Sequence, residues 1–568
     1  MIRNRVETRI RPLVAERGVV AGGNLVAQTG VEIMQKGGNA VDAGVAAAFV
    51  AQLTEPGMCG VGGNGTILVH HAKSNETTIF NDGPFAPTAA KPDMFEVLPG
   101  SGSFYGWANV RDDANIMGHK SVAVPGTVAG LSAALERYGT LSLREALAPA
   151  IELAVYGVDV DQRMATIIAR EMKHFRQFPL LGALLLVDGL PPTPGTFWEP
   201  GDKLVNLDLA ETYRAIAEGG ADAFYRGPIA HAIASEMSKH GGILTYEDLA
   251  TYSSEVKVLE EKDFLTYRGL RYTPGSSRVV VQFLNVLENF DLAGLEPHSP
   301  TFCHLMLEAM RWTWVNHFAF ALEPGLLTKA HADEVADRIR LDQASHDVRP
   351  LDPQPYQRPT RPSDRLASGA AQAGSDPWLF GETNTTTLAA ADCQGNVINI
   401  LTSLGNAFGS KVVVPGTGIV LNDHMCSFDP IPGRALSLGP TRRPARGTHL
   451  PLFFRDGKPW LALSASGARR SMSSVFHVLA HSIDFDMGLQ EAIETPRVWA
   501  EALYPEAFLD SRIPKSTQQA LAELGHRTVS LDPFTSGGFG RPTAVSIAAS
   551  GRLHGGADPM YSTEVAGF

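Results

Sequence analysis

The spacing of hydrophobic and polar positions changes about two-thirds of the way along this chain of 568 residues. In the first part, "LVAQTGVEIMQKGGNAVDAGVAAAFVAQLTEP" predicts two helices separated by Gly37 and Gly38, and the second is apolar almost all round and therefore buried. "SVAVPGTVAGLSAALERYGTLSLREALAPAIELAVYG" predicts a strand, a turn at residues 125–126 and two more helices. Helical spacing continues through much of residues 200–250. "TFCHLMLEAMRWTWVNHFAFAL" predicts a further helix whose aromatic side chains face the core.

The last third has the alternation of half-buried strands. The segments "TTTLAAAD", "NVINILTSL", "KVVVPGTGIVLN", "HLPLFFRDGKPWLALSAS" and "RPTAVSIAASGRLHGGADP" predict a sheet, with one helix near "SMSSVFHVLAHSID". Residues 347–375, just before it, are rich in Pro, Ser and Ala and have little apolar periodicity, which predicts a loop or mobile tail, extending to about residue 380.

Composition excludes several classes of protein. Hydrophobic residues make up 44% of the chain and charged residues 19%, as in ordinary globular proteins. The formal net charge of -12 argues against a nucleic-acid partner. The N-terminus has no continuous apolar signal segment, and no run approaches the length of a membrane helix. We therefore expect a cytoplasmic protein with no membrane association.

Neither a cofactor nor a metal site is predicted. The four cysteines, Cys59, Cys303, Cys393 and Cys426, lack the CxxC spacing of zinc clusters and are interpreted as packing residues. Adjacent residues on a strand point to opposite faces, so "HH" at residues 70–71 is not a ligand pair.

The glycine loop "CGVGGNGTILVHH" contains G-x-G-x-x-G at Gly60, Gly62 and Gly65, the spacing of a dinucleotide site. That site requires a strand before the glycines and a helix after them. Here a helix is predicted before the loop and the β-branched run "TILV" follows it. The context therefore does not favour a dinucleotide.

Three threonines, residues 385–387, open the first strand of the last third. Threonine favours strands, so the triplet can be purely structural. The turn sequence "DCQGN", however, predicts a hairpin in which Ala391 pairs with Val397. Counting outward places Thr385 opposite Ser403. Opposed residues have Cβ atoms about 4.5 to 5.5 Å apart, which allows a hydrogen bond between the two hydroxyls.

A cut between Asn384 and Thr385 would give Thr385 a free α-amine beside its own hydroxyl. An α-amine has a pKa of about 7.7 to 8, so near neutral pH it can act as a general base. The hairpin thus predicts a nucleophile and a hydroxyl helper.

At these residues the chain resembles the γ-glutamyltranspeptidase family of N-terminal-nucleophile hydrolases, over nearly its whole length. The shared motifs are "GGNAVDA", "GVGGNG", "PGTVAG", "DCQGN", "FGS", "PGTGIVLND" and "GGADP". The resemblance implies an α+β fold, an αββα four-layer sandwich. It also implies a precursor that cuts itself into a large subunit, residues 1–384, and a small subunit, residues 385–568, which together form one composite fold.

The resemblance also implies roles for individual residues. Thr385 corresponds to the nucleophile, with autocleavage between Asn384 and Thr385, and Ser403 to a helper threonine. Only the turn register distinguishes Thr385 from the two threonines that follow it. In "SASGARR", Gly467 and Ala468 correspond to backbone donors for an oxyanion. The same segment could be a serine-hydrolase elbow, but it lacks the first glycine of G-x-S-x-G.

The residues that hold a glutamyl group in the family are mostly absent. Gly405 replaces an asparagine, although the neighbouring Asn406 could substitute; His424 and Ser427 replace a glutamine and an aspartate. A serine pair gives way to "PARGTHLP", and Pro92 stands at the position of a carboxylate-binding arginine. The candidate substrate-binding residues are Gly405, Asn406, His424, Ser427, Arg446, Thr448 and His449, with Arg469 as a further candidate.

Loss of the glutamyl set argues against glutathione-type substrates, because a site built for an ammonium and a carboxylate rejects ligands that it cannot pair. Arg446 could bind a carboxylate through two parallel hydrogen bonds. Superfamily members that act on other acyl groups, such as cephalosporin acylases and oxamate amidohydrolases, make a changed amide plausible. We therefore expect hydrolysis, rather than transfer, of a small, anionic, non-glutamyl amide.

Two alternatives remain open. In the first, the protein is a γ-glutamyl hydrolase or transpeptidase whose head-group site is rebuilt from Asn406, Asp423 and His424. In the second, it is an unprocessed, non-catalytic family member that serves as a binding protein, since fold does not guarantee chemistry. A homo-oligomer of processed heterodimers is compatible with each enzymatic interpretation.

Overall fold

The computed structural model describes residues 13–101, 107–346, 348–353, 383–434, 436–444, 448–501, 504–534, 538–560 and 563–568. The helices are α1 Asn24–Gln35, α2 Ala40–Thr54, α3 Thr127–Tyr138, α4 Leu143–Tyr156, α5 Gln162–Glu171, α6 Pro179–Leu185, α7 Leu207–Gly219, α8 Ala221–Tyr225, α9 Pro228–Lys239, α10 Tyr246–Ala250, α11 Arg278–Leu287, α12 Pro300–Phe320, α13 Lys329–Ala336, α14 Arg470–Ile483, α15 Leu489–Glu494 and α16 Lys515–Glu523.

The strands are β1 Leu13–Ala15, β2 Gly18–Gly23, β3 Asn64–His71, β4 Glu76–Asn81, β5 Val97–Ser101, β6 Ala108–Val110, β7 Val158–Asp159, β8 Lys203–Leu204, β9 Glu255–Val258, β10 Leu265–Tyr267, β11 Leu270–Gly275, β12 Thr383–Asp392, β13 Val397–Asn406, β14 Val413–Val414, β15 Ile419–Val420, β16 His449–Arg455, β17 Lys458–Ser466, β18 Val498–Trp499, β19 Glu506–Asp510, β20 Arg527–Leu531, β21 Arg541–Ile547, β22 Leu553–Ala557 and β23 Thr563–Gly567. Within the described residues, no helix is both long and apolar enough to span a bilayer.

Two antiparallel sheets form the centre of the molecule. Sheet I has the strand order β1-β22-β21-β17-β16-β11-β10, and sheet II has the order β23-β2-β12-β13-β3-β4-β9. The sheets face each other through β12 and β13 on one side and β17 and β21 on the other. Helices α1, α2 and α3 cover sheet II, and α11, α14 and α15 cover sheet I. This helix–sheet–sheet–helix order confirms the predicted αββα sandwich.

The helix α2 is buried from Ala40 to Leu53, as its all-round apolar pattern predicts. Its small residues allow it to approach sheet II closely, because a Cβ added at Gly44 would lie 2.5 Å from Ile398 Cγ2. Two apolar clusters pack between a sheet and the helices that cover it, one for sheet II and one for sheet I. A third cluster packs between the two sheets and includes Leu401 and Val545.

Two of the shared motifs meet at the start of α2. The side chain of Asn39 caps the helix, and Asp42 completes a capping box. Asp42 also accepts the backbone N–H of Thr140 at 2.8 Å. The carboxylate of Asp392, in the "DCQGN" turn, accepts the backbone N–H of Ala40 at 2.9 Å. The turn that sets the hairpin register is therefore anchored to a buried helix.

The hairpin of β12 and β13 has the predicted register. Ala391 pairs with Val397, and the register continues to Thr386 opposite Thr402. Beyond that point the ladder shifts by one residue, so that Asn384 lies opposite Gly405. The extra residue is on β13, where Ser403 and Leu404 together lie opposite Thr385, and such irregularities re-aim a side chain.

Several local predictions differ from the structure. The predicted strand at residues 121–124 is only an isolated bridge between Val124 and Phe85, because the side chain of Asn422 satisfies both the N–H and the C=O of Ala123. Cys393 is exposed and is not a packing residue, whereas the other three cysteines are buried. Of the predicted mobile segment, residue 347 and residues from 354 onward lie outside the described residues.

The glycine loop approaches the hairpin closely. A Cβ at Gly63 would lie 2.5 Å from the carbonyl oxygen of Ser403, and one at Gly65 would lie 2.1 Å from that of Leu401. The helix α2 precedes this loop and the strand β3 follows it. The glycines therefore permit close backbone packing against β13, and the arrangement differs from that of a dinucleotide site.

Candidate active site

The hydroxyls of Thr385 and Ser403 lie 3.1 Å apart, within hydrogen-bond distance. Thr385 is 7% exposed and Ser403 1%, so the pair is shielded from solvent. The Ser403 hydroxyl also accepts the backbone N–H of Gly405 at 3.0 Å. The guanidinium of Arg541, on β21, donates to the carbonyl oxygen of Thr385 at 3.0 Å. These contacts hold the pair where the hairpin register predicts it.

The other two threonines have different partners. Strand alternation points Thr386 toward the helices, where its hydroxyl donates to Glu55 at 2.7 Å. Thr387 points toward sheet I and accepts a hydrogen bond from Thr543 at 3.0 Å. Thr385, unlike Thr386 and Thr387, lines the pocket that also contains Gly467 and Ala468. The geometry thus distinguishes Thr385 from its two neighbours.

This pocket, called the threonine pocket below, has a volume of about 830 Å³, including its open mouth. Much of its wall is apolar or aromatic. Its lining comprises Trp107, Val279, Trp314, His317, Phe318, Thr385, Leu401, Ser427, Leu436, Thr448, His449, Ala465, Gly467, Ala468, Arg469 and Ser471.

The end of α12 supplies one wall of the threonine pocket. Trp314 and Phe318 stack with ring centroids 5.5 Å apart, and His317 lies beside them. Burial, together with the nearby charge of Arg278, lowers the pKa of His317 to about 4, so its imidazole is neutral near pH 7. The aromatic residues of this helix pack in the core, as predicted, and at its C-terminal end Trp314 and Phe318 also border the pocket. Their i, i+3, i+4 spacing shows a common face but not what that face contacts.

Gly467 and Ala468 lie where β17 leads into α14. Their φ angles are +122° and +48°, the second of which is strained for a residue with a Cβ. Both residues line the threonine pocket, and within the described residues neither backbone N–H has an acceptor. The start of a helix adds positive potential there. The turn therefore presents two donors suited to a developing oxyanion.

Arg469, the next residue, is held by a buried carboxylate. Its Nε lies 2.6 Å from Glu501 Oε2, and its Nη2 donates to Oε1 at 3.2 Å. Burial raises the pKa of the Glu501 carboxyl, and the charge of Arg469 offsets part of that effect. Within the described residues, Nη1 of Arg469 has no acceptor. Arg469 lines the threonine pocket, so its side chain borders the space that a ligand would occupy.

Three other predicted binding residues lie on the pocket wall. The hydroxyl of Ser427 is buried and has no partner within the described residues. The hydroxyl of Thr448 lies 2.5 Å from that of Ser276, and His449 Nδ1 lies 2.8 Å from the hydroxyl of Ser277. Arg446 lies outside the described residues.

Gly405, Asn406 and His424 are placed behind the hydroxyl pair and do not line the threonine pocket. His424 Nε2 donates to the carbonyl oxygen of Ser403 at 3.0 Å, which fixes its tautomer. The side chain of Asn406 donates to Asp423. Gly405 has φ +103°, and a Cβ there would lie 1.7 Å from Asp423 Oδ1. In this geometry the three residues support the end of β13.

Comparison with known proteins gives consistent results. The family model "Gamma-glutamyltranspeptidase" matches residues 26–568. The chain is 34% identical over 561 residues to the acylase ACY 1 proenzyme of Pseudomonas sp. (strain SE83), covering 96% of this chain and 93% of that protein. It is 30% identical over 525 residues to the glutathione hydrolase proenzyme of Bacillus subtilis (strain 168), covering 90% and 86%. The crystal structure of cephalosporin acylase from Bacillus halodurans superposes with a TM-score of 0.83 at 26% identity, covering 100% and 99% of the two chains.

Proposed function

Because the chain belongs to the gamma-glutamyltranspeptidase family, we propose that it cuts itself before Thr385 and then hydrolyses a small, anionic, non-glutamyl amide through an acyl-enzyme on that residue. The class of the reaction, amide hydrolysis by an autoprocessed proenzyme, follows from the family. The choice of nucleophile rests chiefly on one observation: the Thr385 hydroxyl lies 3.1 Å from that of Ser403 and lines the threonine pocket.

In maturation, Thr385 Oγ1 attacks the carbonyl carbon of Asn384 while its proton passes to a neighbouring base. The peptide C–N bond then breaks, the nitrogen of Thr385 takes up a proton, and an ester joins the two residues. Water hydrolyses the ester, which leaves a carboxylate on Asn384 and a free α-amine and hydroxyl on Thr385. The products are a large subunit of residues 1–384 and a small subunit of residues 385–568.

In turnover, the α-amine of Thr385 accepts the hydroxyl proton as Oγ1 attacks the substrate carbonyl. The backbone N–H groups of Gly467 and Ala468 stabilise the oxyanion, and the resulting α-ammonium protonates the leaving amine. Water then attacks the acyl ester and releases a carboxylic acid. Ser403 orients the attacking oxygen throughout, because its hydroxyl bonds both Thr385 and the N–H of Gly405.

The lining of the threonine pocket supports an acyl group that carries an anion but no ammonium. Arg469 Nη1 and the hydroxyl of Ser427 can both donate to a carboxylate. Among the described lining residues, none has a carboxylate side chain that could pair with a glutamyl ammonium. The aromatic wall from α12 suits an apolar spacer between the two polar ends. The acylase among the relatives supports the same class of reaction.

Two p-nitroanilides that differ by one α-amino group test the acyl specificity. The processed enzyme is expected to hydrolyse the glutaryl anilide with a kcat/KM about 100-fold higher than that of the γ-glutamyl anilide, because the ammonium would be desolvated without a partner. Release of p-nitroaniline measures both rates. Equal rates, or preference for the γ-glutamyl compound, would instead support a γ-glutamyl hydrolase.

Replacement of Ser403 by alanine is expected to slow both maturation and turnover by about 10- to 100-fold, the effect of losing one hydrogen bond to a developing charge. Ser403→Thr keeps the hydroxyl and is the matched control. Its rates should stay near those of the parent. The time course of chain cleavage on a denaturing gel and steady-state rates on one anilide provide the two measurements. Full activity in Ser403→Ala would show that the Ser403 hydroxyl does not assist Thr385.

A further inference from the structure

Two imidazoles and one carboxylate converge at a buried position in the helical layer outside sheet I. His304 and Glu308 lie one turn apart on α12, and His526 lies just before β20. His304 and Glu308 are 0% exposed and His526 is 4% exposed. One possible ligand atom from each residue lies within 4.8 Å of the other two. None of the three residues lines the threonine pocket.

We propose that His304, Glu308 and His526 bind one divalent transition-metal ion, of the zinc class, as a structural site. Two imidazole nitrogens and a carboxylate oxygen form a donor set typical of Zn²⁺, and the second carboxylate oxygen of Glu308 can serve as a fourth ligand. The i, i+4 spacing on α12 places the first two donors on one face of the helix.

The hydrogen bonds of His304 leave lone pairs directed into the cluster. His304 Nε2 lies 2.7 Å from the carbonyl oxygen of Arg340, so Nε2 carries the proton and Nδ1 is an acceptor. Metal-bound histidines commonly make this contact, which fixes the tautomer. His304 Nδ1 lies 2.8 Å from His526 Nε2. Without a cation, His526 Nε2 must be protonated, because it donates the hydrogen bond that His304 Nδ1 accepts.

Two polar atoms in the cluster lack partners. The Glu308 oxygen Oε1 accepts the backbone N–H of Ser345 at 3.1 Å, but Oε2 has no donor within the described residues. His526 Nδ1 has no partner there either. A buried carboxylate oxygen without a donor costs stability, and coordination to a cation removes that cost. A metal-bound His526 would keep its proton on Nδ1.

The charges around the cluster allow a cation. A positive charge close to the cluster is that of Arg311, whose guanidinium donates to the carbonyls of Ser345 and Pro505. Those carbonyl contacts hold the guanidinium, and Glu308 offsets its charge.

A metal here would fix one wall of the threonine pocket. The ligands connect α12 with the segment that follows α13, through the contacts to Arg340 and Ser345, and with the turn before β20. The same helix carries Trp314 and Phe318 into the pocket three turns further on. Metal binding therefore stabilises the helix that shapes the acyl-binding wall.

Metal content and thermal unfolding of the full-length protein test the proposal without reference to activity. After treatment with EDTA, incubation with ZnCl₂ and gel filtration, the parent is expected to retain about one zinc per chain and to show a Tm higher by about 5 °C. Cobalt(II) in place of zinc should give visible d–d absorption from a site containing imidazole. A parent that binds less than about one-tenth of an equivalent overturns the proposal.

Glu308→Gln keeps the size of the side chain and an acceptor for the Ser345 N–H, and it should lose the zinc, the cobalt spectrum and the zinc-dependent rise in Tm. The matched control is His240→Asn, in a second, partly exposed cluster of His119, Glu236 and His240. It should bind zinc like the parent. If Glu308→Gln does not fold, His526→Asn takes its place. Zinc retained by the ligand variant, or lost in the control, contradicts the assignment.

Discussion

Thr385→Ala is expected to leave the protein as one uncut chain and to lower amide hydrolysis by at least about 10⁴-fold, because the variant lacks the oxygen that attacks in both reactions. The fold should persist, since Thr385 contributes one side-chain hydrogen bond, to Ser403. Intact mass spectrometry of the purified chain and an anilide assay give the two readouts.

The neighbouring threonines provide matched controls for that variant. Thr386→Ala and Thr387→Ala each remove one side-chain hydrogen bond, to Glu55 and Thr543 respectively, at a cost of about 1 kcal/mol in the free energy of unfolding. Both variants should still be cut before residue 385. Complete maturation of Thr385→Ala, or failure of only one of the two controls, would assign the nucleophile to another residue.

The second large effect is expected at the buried ion pair of the threonine pocket. Removing Arg469 alone would leave Glu501 charged and unpaired, which costs about 3 to 5 kcal/mol. The double variant Arg469→Gln with Glu501→Gln avoids that charge. Its kcat/KM for glutaryl anilide should fall by about 10²- to 10³-fold, the effect of losing a charge-assisted contact to the carboxylate.

Pentanoyl anilide, which lacks the terminal carboxylate, separates recognition from general damage. The double variant should hydrolyse it within about threefold of the parent rate, because no contact to that substrate involves Arg469. An equal loss on both substrates would mean that the ion pair supports the pocket rather than binding the anion. No loss of rate on either anilide would mean that the carboxylate of the substrate binds at a different position in the pocket.

Local sequence signals predicted much of the fold. The all-round apolar pattern of α2 predicted its burial, and the "DCQGN" turn fixed the register of β12 and β13. That register brought Thr385 and Ser403 together because a hairpin is local: few residues separate its partners, and a one-residue slip would turn every side chain to the other face.

The rest of the site depends on contacts that are distant along the chain. Arg541 donates to the carbonyl of Thr385 across 156 residues, and no local pattern indicates that contact. At Gly405, the sequence indicated a lost binding side chain, but the structure adds that Asp423 leaves no space for a Cβ. Apolar spacing in α12 showed which residues lie together, whereas only the tertiary structure shows that they border a pocket.

The N-terminal sequence of the small subunit tests the central claim most directly. The protein should be purified, allowed to mature near neutral pH and separated under denaturing conditions before sequencing. The account predicts two fragments, with the smaller one beginning "TTTLAAAD" at Thr385. A fragment that is one threonine shorter, a cut at any other bond, or a single uncut chain would contradict it.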